Sequence, residues 1–401
     1  MWEQIRGNRI RSVILVAGMG VLLLLIGYFL GVYFFGNAIG GLIIALAVWA
    51  VMNLIAFFQG DNILLGLSRA KKISRDDHPR LYNVVEEMKI ASGLEKMPDI
   101  YIIDDPALNA FATGRDPNRA AVAITSGLLQ KLNRDELQGV IGHEISHIKN
   151  RDVLLMAISG VLLGTIVILA WYATRIIFFG AVFGGRRSSS SGGGYGQLII
   201  LAVGIVLMIL APIVAQLIYF AISRKREYLA DASSALYTRY PEGLASALEK
   251  LAASTSQLKT ANKATAPMYI INPFRKKGMA ASNLTSTHPP VSERIRILRS
   301  MAGGASFADY DQAYRGIHET GKGIIPGSAV ATGPVALRAA GPSEILGEPD
   351  KMERAREVSD LMWRRSDYKT ITCACGTKLR VPPRFKAPSV KCPYCGRINQ
   401  V

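Results

Sequence analysis

The sequence predicts a mainly α-helical membrane protein with four transmembrane helices, a domain of helices and short strands divided between them, and a small C-terminal cysteine module. Half of the 401 residues are hydrophobic and only 19% are charged, whereas soluble domains average about 25% charged residues. Four long apolar runs occur, at about 13–35, 37–58, 153–175 and 198–223. All four cysteines come at the C-terminal end, from Cys373 onward.

Each apolar run is long enough to cross a bilayer as a helix, which takes about 20 residues. Buried helices of soluble proteins are usually shorter and amphipathic. A cleaved signal peptide fits poorly, because the first run exceeds the usual apolar core of about 7–15 residues and a second run follows at once. We therefore expect two transmembrane hairpins, in residues 1–60 and 153–223.

Lysine and arginine flank these runs on one side, which predicts the orientation. Basic residues precede the first run and follow the second and fourth, whereas the intervening connections are a tight turn at Gly36 and a Ser/Gly-rich loop at 186–196. We expect both termini and residues 61–152 to be cytoplasmic. The expected location is the inner membrane of a bacterial or archaeal cell.

The extramembrane sequence divides into four parts. Residues 61–152 carry mixed α/β patterns, and residues 224–300 are largely helical. Residues 301–350 contain nine Gly and four Pro, a composition typical of a flexible linker. Residues 351–401 predict a basic helix and a zinc-ribbon-like module. Within the first part we predict helices and strands at Leu81–Ser92, Asp99–Ile103, Ala121–Thr125 and Arg134–Asn150, the last with Asn133 as its N-cap.

The segment from His143 to His147 reads HEISH. On a helix, positions i and i+4 share a face, so both imidazoles can reach one metal ion. Zinc held there acidifies water and polarises a carbonyl, and Glu144 can accept the proton of that water as general base. A structural site has no use for this carboxylate.

A hydrolytic zinc needs a third protein ligand. Glu227, directly after the fourth apolar run, is the best candidate, and His288 is the alternative. Asp231 follows Glu227 by one helical turn and could orient a ligand histidine, although a helix-surface charge is the competing interpretation.

Four motifs together carry a family resemblance, and they keep their order around the apolar runs. The chain resembles HtpX-type membrane zinc metalloproteases, which are related to the CAAX prenyl proteases, over roughly residues 1–300. The resemblance implies a gluzincin-type protease domain, Glu227 as the third ligand, and cleavage of membrane or misfolded proteins from the cytoplasmic side. The matching motifs are HEISHIKNRD (143–152), REYLAD (226–231), NAFATG (109–114) and STHPPVSERI (286–295).

Other residues in these motifs have candidate roles of their own. His288 precedes two prolines and could donate to the oxyanion of the tetrahedral intermediate, or be structural. Arg294 either pairs with an active-site carboxylate or lies on a helix surface. His78 and His318 are expected to be solvent-exposed. A strand formed by Asn109, Ala110, Phe111, Ala112 and Thr113 could pair with an extended substrate, the alternative being a hairpin loop.

The C-terminal cysteines form two pairs, Cys373/Cys375 and Cys392/Cys395. Their separation suits a closed, structural Cys₄ zinc site of zinc-ribbon type. Two disulfides are the alternative, but a cytoplasmic terminus keeps thiols reduced. Residues 351–401 carry 12 Lys+Arg and four Asp+Glu. We interpret the module as a docking site for a substrate or protein partner, with lipid contact or a structural cap as alternatives; nucleic acid is an unlikely partner.

The sequence thus favours a membrane-embedded endopeptidase with one catalytic and one structural Zn²⁺, acting on membrane or unfolded proteins for protein quality control. The first alternative is a processing protease of narrow specificity for one partner. The second is a non-catalytic membrane scaffold whose zinc is structural.

Overall fold

The structure is a computed structural model of the full chain. The third and fourth apolar runs lie almost entirely outside the residues that it describes, as does His288, so those expectations stay predictions. The described residues are 2–153, 224–259, 268–271, 289–301, 303–331, 333–338, 348–365 and 368–401, with isolated helical positions between 166 and 213.

The first two apolar runs form an antiparallel helical hairpin of α1 (Trp2–Phe35) and α2 (Ala38–Leu67). Gly36 makes the turn with a φ of 64°, and the Asn37 side chain caps α2 by accepting the N–H of Ile39. A Cβ on Gly41 would lie 2.1 Å from the carbonyl oxygen of Gly27. The two backbones therefore touch through small residues, as in many membrane helix pairs.

Among the residues described, α2 is the one helix long and apolar enough to cross a membrane, and α1 contains a shorter apolar stretch, Val16–Val32. Large apolar side chains of α2, such as Ile43 and Leu54, are exposed. Such an apolar exterior is expected where lipid replaces water.

Helix α2 runs nine residues past Phe58, where its apolar run was expected to end. Leu64 and Leu65 are buried in the main hydrophobic core. The helix ends at Leu67 with Ser68 as its C-cap, after which Arg69 has a φ of 52°. Burial of these two leucines extends α2 beyond its apolar run, so the α1–α2 hairpin is joined continuously to the domain that follows it.

That domain is built on a four-stranded sheet in the order β1-β2-β4-β3. Strand β2 is parallel to β4, and the other two pairings are antiparallel. The β2 range matches the sequence prediction, and β4 differs from it by one residue. The strands are β1 (Lys71–Ile73), β2 (Asp99–Ile103), β3 (Ala110–Gly114) and β4 (Ala120–Thr125).

Helices pack around this sheet in a single core. Helix α5 lies against α3, β3 and α7, and α8 packs on α7. Residues 224–238, which we label α6, are helical. The other helices are α3 (Pro79–Ser92), α4 (Ser126–Lys131), α5 (Arg134–Lys149), α7 (Pro241–Ala253) and α8 (Val291–Arg299).

The prediction of a flexible linker over residues 301–350 is wrong for much of that stretch. This stretch contains α9 (Phe307–His318) and α10 (Gly327–Val330). Phe307 and Tyr310 are buried in the main core, and Ser306 and Asp309 form a capping box. Glycine and proline content predicted flexibility here, but the apolar residues spaced between them bury a helix face.

The C-terminal module is joined to the sheet-and-helix domain by α11 (Lys351–Arg365). Val358 and Leu361 are buried in the same core. Two hairpins follow, and Arg380 on the first of them pairs with Asp360 of α11. Their strands are β5 (Lys369–Thr372), β6 (Lys378–Val381), β7 (Ser389–Lys391) and β8 (Ile398–Gln400).

Candidate metal centre and active site

The HEISH segment lies on α5, whose start is fixed by a capping box. The Asn133 side chain accepts the N–H of Glu136, and the Glu136 carboxylate accepts the N–H of Asn133. This reciprocal pair satisfies two of the free amides at the helix start. His143 and His147 are then placed one turn apart, with Glu144 next to His143, on a buried part of the helix.

Helix α6 approaches this part of α5 very closely. The Ser234 hydroxyl donates to the carbonyl of Gly139 at 2.7 Å. A Cβ on Gly139 would come within 2.6 Å of the Leu244 backbone nitrogen at the start of α7. Gly139 therefore lets α7 pack closely against α5, while the Ser234 hydrogen bond holds α6 there. Glu227 and Asp231 on α6 face the two histidines.

Three side chains from these helices converge on one point. The Nε2 atoms of His143 and His147 lie 3.3 Å apart. Each Nε2 lies 3.6 Å from a carboxylate oxygen of Glu227. A zinc ion at its usual bond lengths in a tetrahedral site separates its ligand atoms by about 3.3–3.6 Å. The donor types and spacings of this set, which is buried, therefore fit zinc.

The outer nitrogens of both histidines face carboxylates. His143 Nδ1 lies 2.9 Å from Asp231 Oδ1, and His147 Nδ1 lies 3.3 Å from Asp152 Oδ2. Such carboxylates fix the ring orientation and leave Nε2 for the metal. The sequence predicted Asp231 in this position but missed Asp152. Asp152 reaches His147 because Arg151, with a φ of 58°, turns the chain back beneath the end of α5.

Arg294 on α8 is fully buried and supports Asp231. Its Nε and Nη2 donate to the two Asp231 oxygens at 2.8 and 2.6 Å. Burial alone would raise the pKa of Asp231, but the charge and hydrogen bonds of Arg294 outweigh it and hold that pKa below its ordinary value. Of the two roles the sequence left open for Arg294, pairing with a carboxylate is confirmed.

Glu144 is buried beside the histidines. Burial raises the pKa of its carboxyl, while the two histidines and the N–H of Ala112 act in the opposite direction. Its Oε2 has no hydrogen-bond partner among the described residues. A buried, unsatisfied carboxylate oxygen is costly and fits a group that binds a water or a substrate proton.

Four of the five residues from Asn109 to Thr113 lie in the edge strand β3, with Asn109 directly before it. All five residues are buried. The Ile270 N–H donates to the Ala110 carbonyl at 3.1 Å, and Asn109 Nδ2 donates to the Ile271 carbonyl at 3.0 Å. The strand prediction is confirmed and the expected exposure is wrong, because residues 268–271 cover this end of the β3 edge.

One of the two histidines expected in solvent is buried instead. The Nδ1 of His78 caps α3 by accepting the Leu81 N–H. Burial, followed by the nearby Arg80 charge, lowers its pKa to about 4. His318 is exposed, as predicted, and its Nε2 lies 2.7 Å from Glu293 Oε1. Polar neighbours in the sequence predicted exposure correctly for His318 but not for His78, which serves as a helix cap.

The four C-terminal cysteines also converge. Their sulfur atoms lie within 4.8 Å of one another. The Cys373–Cys395 and Cys375–Cys392 sulfur distances are 3.5 and 3.7 Å, and all four thiols are free. Tetrahedral zinc–thiolate bonds of about 2.3 Å separate the sulfurs by about 3.8 Å. Cys373 and Cys375 are separated by only one residue, whereas Cys392 and Cys395 are separated by two. The four sulfur atoms nevertheless lie at spacings that fit a zinc site.

Comparisons with known proteins agree with this geometry. The model of "Peptidase family M48" matches residues 75–302. A Protease HtpX homolog of Dictyoglomus turgidum is 46% identical over 300 residues, which cover 75% of this chain and 94% of that protein. The homolog of Streptococcus mutans is 42% identical over 301 residues, covering 75% of this chain and all of its own length.

A crystal structure of Ste24p from S. mikatae is similar over 74% of this chain and 67% of its own, with a TM-score of 0.41 and 20% identity. The match to the full S. mutans relative leaves about a quarter of the present chain outside it. The M48 match itself ends at residue 302, before α9, α11 and the cysteine hairpins.

Proposed function

Because this chain belongs to peptidase family M48 and is a zinc metalloprotease of the HtpX type, we propose that it hydrolyses peptide bonds of membrane or misfolded proteins at the cytoplasmic membrane surface. The observation that carries the proposal is the convergence of His143, His147 and Glu227 beside the buried, unsatisfied carboxylate of Glu144.

We assign His143, His147 and Glu227 as the ligands of the catalytic zinc. Zinc held there supplies Lewis acidity, which acidifies water and polarises the scissile carbonyl. Glu144 accepts the proton of the attacking water and passes it to the leaving amine. Asp231 and Asp152 keep the histidine rings in place, and Arg294 neutralises Asp231.

Substrate positioning falls to β3 in this proposal. Strand β3 is at the edge of the sheet, and the N–H of Ala112 interacts with the Glu144 carboxylate. A substrate added along this edge would therefore pass beside the general base. Since Ile270 occupies the Ala110 carbonyl, the substrate either begins pairing beyond Ala110 or displaces residues 268–271. His288 remains our candidate donor to the oxyanion.

Membrane topology and the second zinc belong to the same proposal. Four membrane helices, with both termini and the active site cytoplasmic, follow from the apolar runs and their basic flanks. The divisions at residues 60, 152, 223, 300 and 350 remain the proposed domain boundaries, with 303–331 and 333–338 reassigned to folded structure. A structural zinc is proposed at the four cysteines, on a module that docks a protein partner.

A processing protease of narrow specificity is the second candidate. The observation that favours it is the covered β3 edge, because a protease with a partly closed substrate strand admits fewer sequences. A non-catalytic scaffold is set aside by the family membership and by Glu144.

The test compares the wild-type chain with Glu144→Gln, purified in detergent with zinc. The matched control is Glu95→Gln, since Glu95 is exposed in the loop after α3. An unfolded model protein is the substrate, and self-cleavage and zinc content are measured together. We expect Glu144→Gln to keep its zinc and lose cleavage, while Glu95→Gln behaves as wild type. Cleavage by Glu144→Gln at the wild-type rate would refute the role of Glu144.

A further inference from the structure

A second polar pocket lies away from the metal centre, between the extramembrane end of α2 and the starts of β2 and β4. Its volume is about 160 Å³, and its lining includes Asp61, Lys96, Asp99, Tyr101 and Arg119. An engineered cavity of about 150 Å³ holds benzene. The pocket therefore accommodates a small polar group rather than a peptide segment.

The pocket lies at the depth of lipid headgroups if α2 spans the membrane as proposed above. The apolar run ends at Phe58, and at 1.5 Å per residue Asp61 and Leu65 lie about 4.5 and about 10.5 Å further along the helix. The headgroup region on each face of a bilayer is about 5–8 Å thick. The pocket thus begins within this layer.

The β3–β4 turn marks the same boundary independently. The guanidinium of Arg115 lies over the rings of Phe57 and Phe58, at 5.9 and 6.0 Å from their centroids. Both rings are exposed. Aromatic and basic side chains concentrate at membrane interfaces. Since Arg119 is at the other end of this turn, its side chain enters the pocket from the interfacial side.

The charges in the pocket are incompletely compensated. Within the described ranges, Lys96 and Arg119 have no ion-pair partner, and Asp61 accepts only the neighbouring Asn62 N–H, at 2.9 Å. Asp99, by contrast, is paired with Lys72 at 2.7 Å. A complementary ligand offers an anion to the two cations and a hydrogen-bonding cation to Asp61.

We propose that this pocket binds the headgroup of phosphatidylethanolamine, with its phosphodiester toward Lys96 and Arg119 and its primary ammonium toward Asp61. Quaternary ammonium groups favour aromatic cages, and Tyr101 is the single aromatic residue in the lining. A carboxylate suits an ammonium that donates hydrogen bonds. A purely anionic lipid would leave Asp61 facing negative charge.

The bound headgroup joins three elements: the end of α2, the loop before β2 and the β3–β4 turn. Strand β3 leads from that turn to Ala112 beside Glu144. Lipid composition would therefore affect how firmly the proposed substrate strand is held relative to the membrane.

The test measures lipid binding directly on the full-length Glu144→Gln chain, so that proteolysis does not enter. Delipidated protein is placed in nanodiscs of phosphatidylcholine containing either phosphatidylethanolamine or phosphatidylglycerol. Retained lipid is identified by native mass spectrometry, and thermal stability is followed in parallel. Flotation with vesicles establishes membrane insertion separately.

The wild-type pocket should retain phosphatidylethanolamine in preference to the other two lipids. Lys96→Ala/Arg119→Ala should weaken this binding about tenfold or more per lost contact. Asp61→Asn should bind all three lipids with little preference. The matched control is Lys131→Ala/Lys322→Ala, which removes two exposed lysines from other surfaces. Retention of phosphatidylethanolamine by the pocket variants at the level of the control, with lipid-free melting unchanged, would overturn the proposal.

Discussion

Removal of the Arg294 side chain should destabilise the protein far more than removal of a surface arginine on the same helix. Arg294 is fully buried. Besides its two bonds to Asp231, its Nη1 donates to the Ile270 carbonyl at 3.1 Å. It therefore joins α8, α6 and residues 268–271 at one point. In Arg294→Met the Asp231 carboxylate is left buried without its countercharge.

Breaking a buried ion pair from one side costs about 3–5 kcal/mol. For a domain of this size, each kcal/mol lowers the melting temperature by about 2–4 °C. We therefore expect Arg294→Met to lower Tm by about 6–20 °C. The lowered pKa of Asp231 also indicates that its ionised form stabilises the folded state. This stabilisation is fully present above the unfolded-state pKa of Asp231 and is lost as the pH falls through its folded-state pKa.

The assay is thermal unfolding in detergent, followed by tryptophan fluorescence at one scan rate, on a Glu144→Gln background. Arg299→Met is the control, because Arg299 is an exposed α8 residue whose guanidinium lies 2.9 Å from both Glu242 and Glu249; exposed pairs contribute little. Asp231→Leu combined with Arg294→Met should recover part of the loss, since no buried charge then remains. Equal effects of the Arg294 and Arg299 substitutions would show that the buried pair does not organise the site.

Three further substitutions test separate parts of the account. Asp152→Ala should weaken zinc binding at the catalytic site by about 10–100-fold, measured by competition with a chelator; unchanged affinity would remove Asp152 from the site. Gly41→Leu should disrupt the α1–α2 hairpin, because its Cβ would lie 2.1 Å from the Gly27 oxygen; wild-type melting and yield would contradict this packing. Cys375→Ser should halve the zinc content and expose residues 368–401 to limited proteolysis, and an unchanged digestion pattern would argue against a structural zinc.

The parts of the fold that the sequence predicted well carry local signals. Asn133 as N-cap and the histidine spacing predicted α5 with its metal-binding face, and the structure adds Glu136 as the partner of Asn133 in a capping box. The predicted strand Asp99–Ile103 has the bounds of β2 in the structure. In these cases a few neighbouring residues determine the local backbone, so no tertiary information is needed.

The structure differs from the sequence prediction where contacts between distant parts of the chain determine the local structure. Leu64 and Leu65 extend α2 because the protease core covers them, which hydropathy along the helix does not indicate. The same holds for α9, where Phe307 and Tyr310 find a core between glycine-rich stretches. Asp152 was missed because its position depends on a left-handed turn at Arg151.

The candidate site was predictable to the extent that it lies on one face of one helix. His143 and His147 follow from spacing, whereas Glu227 is 80 residues away from His147 and reaches them only through the packing of α6 on α5. The sequence did not indicate that residues 268–271 cover β3, because this contact depends on a backbone hydrogen bond to Ala110.

Zinc stoichiometry and peptide-bond cleavage, measured on the same preparation of wild type and Glu227→Ala, test the central claim most directly. After dialysis against a competing chelator, the wild-type chain should hold two zinc ions and cleave an unfolded protein. Glu227→Ala should hold one zinc ion, at the cysteine cluster, and should not cleave. If Glu227→Ala keeps both ions and full activity, the metal centre is not the one assembled between α5 and α6.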